Sequence, residues 1–596
     1  MASLNSEQKK IIVERFVKSG INVTPYTLEL LLQLKEPLEK INLIIKEASF
    51  QTSFNGYLTP EILNKTSDKQ IQKILDRNIK NSGIKEFEKN SEVDEHQNNS
   101  TIELTQKEVI SEKSSILVCS NQEVIQHNGY IDKNAINPKP ITEKVTEVKE
   151  LNCESAPTKT LESIKSDFSF RPIAKEYAFQ YKILKDPTGK IYTNGDYNDF
   201  YELTLDKFNS LRKLMKNRGE SNAATNINNI LRLSHKNEIS VVGLVKEIRQ
   251  TKKGNYFLVL EDLTGIINVI LRRDQESVNS KDIEKIINDQ MILINGVYDP
   301  GEKGKSGIVY GNFFTKIDVR NDFVPNLSPD PLSIALISDI HIGSKEFEEK
   351  LWNKFIDFLN GKIGNKNLRE KAGKIKYIII NGDLVDGIGI YPTQKSDLVI
   401  TDIFNQFKKA AELISQIPDY IKVFYSSGNH DPVRNAIPRP AVPKKYAEEL
   451  TNIGVKCIGN PCEIQTHNVT TLAFHGDSIL DLNVLVPGLD NTKPVETMKE
   501  LLTCRHLAPV FGKKTQIAPT NKDWLVIDNI PEIFHTGHVH INDIGKYRNV
   551  TLVNSGTFQS QTDYMNSLGI HPTPGIIPII ELNTLQSLEL DLKKLN

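Results

Sequence analysis

Apolar and polar positions follow one another along this chain in three rhythms, and each rhythm predicts a different kind of structure. Up to residue 80 the apolar positions recur at helical spacing: Ile11, Ile12, Phe16 and Val17 behind a capping Ser6, then Leu28, Leu31, Leu32, Ile41 and Ile44. Thr24-Pro25 and Thr59-Pro60 each pair a capping hydroxyl with proline at a first helical position, where its missing N–H is no loss. Residues 1–80 therefore predict a small helical domain. Between 85 and 165 the rhythm fades: Glu, Lys, Ser, Asn and Gln dominate, and Pro138 and Pro140 interrupt what pattern exists. Too little apolar surface is available to offset the ordering of the backbone, which predicts a disordered polar linker.

From residue 168 aromatics return. A helical pattern over Leu203–Met215 leads into alternating runs at Ile239–Ile248, Tyr256–Leu263, Ile266–Leu271 and Met291–Tyr298, with turns at Lys252-Lys253-Gly254 and Thr264-Gly265. With a Gly/Lys turn after Tyr298 leading to a fifth, these short strands with a helix before the fourth predict an OB-fold barrel over residues 168–325. Lys252, Lys253, Lys303 and Lys305 sit in its loops, where they read as solvated hairpin tips, because few aromatics accompany them to stack bases.

From residue 330 to 596 a third pattern takes over. Leu332–Ser338 runs into Asp339-Ile-His341, Lys376–Ile380 into Asn381-Gly-Asp383 and Asp386, and Lys422–Ser427 into Gly428-Asn429-His430-Asp431. Thr471–Phe474 runs into His475-Gly-Asp477, and Glu532–Phe534 into His535-Thr-Gly-His538-Val-His540. Five apolar strands, each ending in polar donors, predict a packed sheet with a site along one rim. In a strand, alternate residues share a face, so Asp339 and His341, or His538 and His540, are expected to reach one ion together.

The chain has 596 residues, enough for three or four domains, with a net charge of −1 that offers no global attraction for nucleic acid. The five cysteines (Cys119, Cys153, Cys457, Cys462 and Cys504) are too scattered for a disulfide framework, and Cys457 and Cys462 lack the second pair of a zinc site. The N-terminal residues do not read as a signal peptide, and no apolar run is long enough to span a bilayer, so no membrane contact and a reducing, cytoplasmic setting are expected.

Nine of the twelve histidines lie beyond residue 330, among the carboxylates. Hard oxygen donors mixed with imidazole suit manganese, iron or zinc. Two such ions roughly 3.5–4 Å apart can clamp the attacking and leaving oxygens of an in-line displacement.

The ordered set D-x-H, G-D-x-x-D, G-N-H-D, H and G-H-x-H resembles that of the calcineurin-like metallophosphoesterases. The resemblance implies an α/β chain ending in a β-sandwich phosphoesterase flanked by helices. It implies two divalent ions: Asp339, His341 and His540 on one, Asn429, His475 and His538 on the other, and Asp383 between them. His430 would protonate the leaving oxygen or steady the phosphate.

The order of domains, with Gly428–Arg434, Pro438–Ala441 and Arg505–Pro509, is similar to the small subunits of the archaeal family D DNA polymerases. That resemblance implies a 3′–5′ proofreading exonuclease acting on single-stranded or mismatched DNA ends beside a large polymerising subunit, at the nucleoid. Eukaryotic B-subunits look like the same architecture with eroded ligands and act as scaffolds, whereas here every ligand position holds a competent residue. A stand-alone small-molecule phosphodiesterase would need neither barrel nor linker. In a related break-repair nuclease a histidine stands where this chain has Asp386, so transition-state help is expected from His430 or elsewhere, and Asp386 is expected to hold a neighbouring loop.

His467, His506, His535 and His571 are expected to be packing or hydrogen-bonding residues, and Asp431 and Asp477 to orient imidazoles. Arg434, Arg439 and Arg505 read as structural ion pairs or phosphate contacts.

Overall fold

The computed structural model describes most of residues 170–595, apart from 274–279, 303–305, Thr393 and Leu568, and parts of residues 11–73. The expected linker, Ser6, Val17, Thr59-Pro60, Cys119, Cys153, Lys303 and Lys305 lie outside the described residues. The chain divides into two units, Met1–Cys153 and Glu154–Asn596.

In the first unit helices span Pro25–Leu31 and Pro37–Ser49, the first beginning at Pro25 as expected, with Thr24 outside the described residues. Ile12, Phe16, Leu31, Ile41 and Ile44 are buried together. A two-residue parallel pairing of Asn22–Val23 with Tyr57–Leu58 adds a strand element to what reads as wholly helical.

The second unit opens with β1 (Tyr181–Lys185) and α1 (Tyr197–Lys216), whose N-terminus is capped by the Asp196 side chain accepting the Asp199 N–H. Next come β2 (Asn237–Gln250), β3 (Tyr256–Asp262), β4 (Gly265–Leu271), β5 (Met291–Asp299) and β6 (Ile308–Lys316). They close into a five-stranded barrel in the order β2-β3-β4-β6-β5, with a short helix, Ser280–Glu284, before β5 as the pattern predicts. Alternate residues such as Val241, Leu258, Leu260, Val269 and Ile294 fill its interior. Phe257 and Tyr310 lie under Arg249 and Arg272.

β7 (Ser333–Ile337), α2 (Glu349–Leu359), β8 (Ile375–Asn381), α3 (Ile403–Ile414), β9 (Lys422–Ser426) and β10 (Lys456–Ile458) follow as a parallel β/α run. β11 (Cys462–Thr466), β12 (Val469–Ala473), α4 (Pro494–Cys504), β13 (Ile533–Thr536), β14 (Asp543–Tyr547) and β15 (Val550–Asn554) come next. β16 (Ile576–Glu581) and β17 (Ser587–Asp591) close the chain.

These strands form two six-stranded sheets, β10-β9-β8-β7-β16-β17 and β14-β15-β13-β12-β11-β1, rather than the single sheet that the repeated strand ends suggest. Period two decides the layers. Ala335, Ile337, Ile378 and Ile380 meet Phe355 and Leu359 of α2 and Phe407 and Leu413 of α3. The intervening Ile334, Leu336, Tyr377 and Ile379 meet Ile464, Ala473, Ile533 and Val553 of the facing sheet. Beyond it, Leu472, Phe534 and Leu552 pack on Met498, Leu501 and Leu502 of α4. The result is four layers, helix, sheet, sheet, helix, with both sheets buried on both faces in their centres.

β1 corrects the expected boundaries. It falls within residues 168–325, which the pattern gives to the barrel domain, yet it pairs with Cys462–Thr466 as an edge of the second sheet. α1 packs on the barrel, Phe208 and Leu211 meeting Val242 and Leu293, and reaches Val526 in the segment that leads to β13.

Candidate metal centre

The donors gather where the carboxyl ends of β7, β8 and β9 meet those of β12 and β13. At this rim the sheets are stitched together by Asn381, whose Nδ2 donates to the carbonyls of Phe474 (2.9 Å) and His535 (3.0 Å). Asp339 and His341 do not share a strand face, because β7 ends at Ile337. Both adopt left-handed backbone (φ 51° and 55°), as do Asp383, His538 and His540 (φ 52°, 68° and 61°). The pairs converge through tight turns and not through strand alternation, and the turn at β7 is held by the Asp339 N–H on Gly382 O (3.0 Å) and the His341 N–H on Asp383 O (3.1 Å).

Glycine is required where these turns touch. A Cβ at Gly428 would collide with the Asp383 carboxylate, and one at Gly382 with the His475 ring.

The donors fall into two sets. Asp339, His341 and His540 bring one ligand atom each within 4.8 Å of one another, and Asp383, His475 and His538 do the same. Asn429 joins the second set, its Oδ1 3.0 Å from His475 Nε2. Asp383 Oδ2 lies 3.2 Å from His475 Nε2 and 4.0 Å from His341 Nε2, between the sets. His341 and His540 point their Nε2 atoms at one another across 3.1 Å.

Tautomers follow from the outer contacts. His475 Nδ1 faces Asn381 O (2.8 Å) and His341 Nδ1 faces Asp386 Oδ1 (3.0 Å), so each donates there and turns its Nε2 toward the site. His430, half-buried beside the cluster, places Nδ1 2.8 Å from Asp386 O.

The electrostatics describe a cluster short of cations. Burial would raise Asp383, but His475 and His430 hold its carboxyl well below the usual range. Asp339 is likewise lowered against burial, chiefly by His540. Burial opposes a charge on His475, yet Asp383 and Asp339 push its pKa up to about 10. His538 is pushed down to about 4 by burial and then by His475. Asp339 Oδ1 is buried and accepts no hydrogen bond. An orphaned carboxylate oxygen among imidazole nitrogens fits divalent cations, which would displace the His475 proton, with oxygen and nitrogen donors in the mixture that borderline metals take.

Above the donors lies a cleft of about 370 Å³. Part of its lining is polar and knit through Asp477, which pairs with Arg439 (2.9 and 2.5 Å) and whose carbonyl accepts Thr515 Oγ1 (3.1 Å). Another part, Ile390, Tyr391, Tyr564, Met565 and Ile570, is apolar or aromatic.

Residues 334–542 match the B-subunit family of DNA polymerases alpha and epsilon. The DNA polymerase II small subunit of Methanothermobacter thermautotrophicus is 36% identical over 420 residues, 70% of this chain and 84% of that one. The Pyrococcus horikoshii small subunit is 39% identical over 431 residues (70% and 68%), and that of Methanocaldococcus jannaschii 37% over 434 (71% and 70%). The chain belongs to the archaeal DNA polymerase II small subunit family.

In this small subunit the remaining sequence candidates sort by contact. His467 pairs with Asp330 (2.7 Å), His506 with Asp523 (2.8 Å), His535 with Ser555 (2.9 Å) and His571 with Gln561 (3.3 Å), all structural as expected. Arg434 and Arg505 are spent on backbone carbonyls. Among the described residues no cysteine joins a candidate metal group.

Asp431 and Asp477 need correction, since neither orients an imidazole. Asp431 Oδ2 accepts the N–H groups of Gly428 (2.7 Å) and Asp383 (3.0 Å), fixing both turns, and burial with the Asp383 charge pushes it up to about 6. Asp477 serves Arg439 instead.

Sequence reasoning missed the small subunit's Gln394 and Gln559, which donate to Asp386 (2.9 and 3.2 Å). Gln559 lies 173 positions from its partner, and no local pattern marks it.

Proposed function

We propose that this small subunit is a two-metal 3′–5′ exonuclease that hydrolyses phosphodiester bonds at single-stranded or mismatched DNA ends, proofreading for the polymerase. The observation that carries the reading is the position of Asp383, between two buried donor sets drawn from two sheets. In this reading the facing sheets are a calcineurin-like sandwich (residues 330–596, with β1 at its edge). The barrel is an OB-fold within 168–325, and residues 1–80 and 85–165 are a helical module and a linker.

Asp339, His341 and His540 would hold one ion and Asn429, His475 and His538 the other, with Asp383 shared. When bound, the ions (manganese, with iron or zinc as alternatives) supply the positive charge that polarises the phosphate and favours an attacking oxygen. His430 keeps its Nδ1 proton on Asp386 O, so its Nε2 is the atom offered to the substrate, to protonate the leaving oxygen or steady the phosphate. The partner is the large polymerising subunit, which the barrel docks while helping to guide a strand, and the setting is the cytoplasm at the nucleoid.

Manganese-dependent digestion of a 5′-labelled single strand tests this directly. Wild type is expected to give a ladder shortening from the 3′ end, and His430→Ala and Asp383→Ala are each expected to abolish it. Absence of cleavage by wild type, with the large subunit added, would leave a scaffold role instead.

A further inference from the structure

The metal cluster makes no use of the apolar residues at the mouth of its cleft. Ile390 is 36% exposed and Tyr564 is 50% exposed, beside a lining that also carries charged and neutral polar side chains. Tyr391 and Tyr564 lie nearly parallel, with ring centroids 5.6 Å apart and planes at 12°.

The Tyr391 ring is anchored from its own loop. The Tyr391 hydroxyl donates to Asp397 Oδ2 (3.0 Å), and the adjacent Ile390 N–H donates to Gln394 Oε1 (2.9 Å). Gln394 Nε2 in turn donates to the carbonyl and carboxylate of Asp386 (2.8 and 2.9 Å). Tyr564 follows shortly after Gln559, which donates to Asp386 Oδ1 (3.2 Å). The Tyr391 ring is thus referenced to the residue that holds His341, and Tyr564 stacks against it. A fixed, half-exposed aromatic stack in register with a phosphodiester site has the form of a nucleobase platform, which accepts any base because every base has a flat face.

We propose that the exposed face of the Tyr391–Tyr564 stack receives the unpaired terminal base of the strand whose scissile phosphate lies at the donor cluster, with Ile390 against the base edge. This rests on the nuclease reading above and assigns the residues that seat the strand end. A paired base is already stacked within its duplex, so the platform favours ends that are single-stranded or mismatched.

The test is binding of the full chain to a fluorescein-labelled single strand in low-salt buffer with EDTA, read by anisotropy. The strand carries either an intact 3′-terminal nucleotide or an abasic one. Wild type is expected to bind the intact end about five- to a hundredfold more tightly. Tyr564→Ala is expected to bind both ends equally and weakly, and Tyr564→Trp to restore the preference. Equal binding of both ends by wild type, no measurable binding, or a preference retained in Tyr564→Ala overturns the platform. Because no hydrolysis is read, the outcome is separate from that of the digestion: a preference lost in Tyr564→Ala stands even if wild type cleaves nothing.

Discussion

At the scale of single residues, Asp386 shows how much of this centre is built outside the donors themselves. It accepts His341 Nδ1 on one oxygen and Gln394 on the other, so it fixes both the ring and its tautomer. Removing such a partner costs roughly 10- to 100-fold in metal affinity where it has been measured in other proteins. Asp386→Ala is therefore expected to weaken Mn²⁺ binding by about that factor in titration calorimetry. Unchanged affinity would leave Asp386 with the loop alone. The donors were legible in the sequence because each follows an apolar run that can only be a buried strand. The roles of Asp431 and Asp477 were not, because a carboxylate beside a histidine in sequence can turn away from it, here toward backbone N–H groups and toward Arg439.

At the scale of elements, α4 joins the barrel to the second sheet. Its Glu500, buried, pairs with Lys285 (2.9 Å) and with Lys316 at the end of β6 (3.3 Å). Burial would raise the Glu500 pKa, but the two lysines more than offset it and hold the group below its ordinary 4.5. A group lowered on folding contributes its full stability above the unfolded value and loses it as the pH falls through the folded one. Glu500→Gln is accordingly expected to cost about 1.5–3 kcal/mol at neutral pH, the range of a charged hydrogen bond, with the melting-temperature gap to wild type closing as the pH drops below 4.5. The strands of this region were readable as buried runs, but a run apolar throughout says only that both faces are covered, not by what. That is why the runs alone do not separate two sheets from one, and the two layers enter only through the family resemblance. β1 escaped for the opposite reason: it is a largely exposed edge strand whose partner lies far along the chain, and no local rhythm marks it.

At the scale of the molecule, each donor set draws on both sheets: Asp339 and His341 follow β7 and Asp383 follows β8, while His475, His538 and His540 follow β12 and β13. Slackening the packing between the sheets should therefore act on the site. Ile379→Ala, between the sheets, and Leu359→Ala, under α2, are each expected to cost about 2–5 kcal/mol by chemical denaturation. Only Ile379→Ala is expected to weaken Mn²⁺ binding as well, and equal affinity in the two variants would detach the site from sheet packing. The left-handed turns at Asp339, His341, Asp383, His538 and His540 add a different consequence. A non-glycine residue there sits about 1–2 kcal/mol above its relaxed conformation, and the carboxylates of Asp339 and Asp383 also repel one another. Glycine at any of the five relieves the turn. A population of this gene selected for heat resistance alone, with no demand on metal or DNA, would therefore be expected to shed these five donors early, each loss a step toward a sturdier protein without the candidate centre.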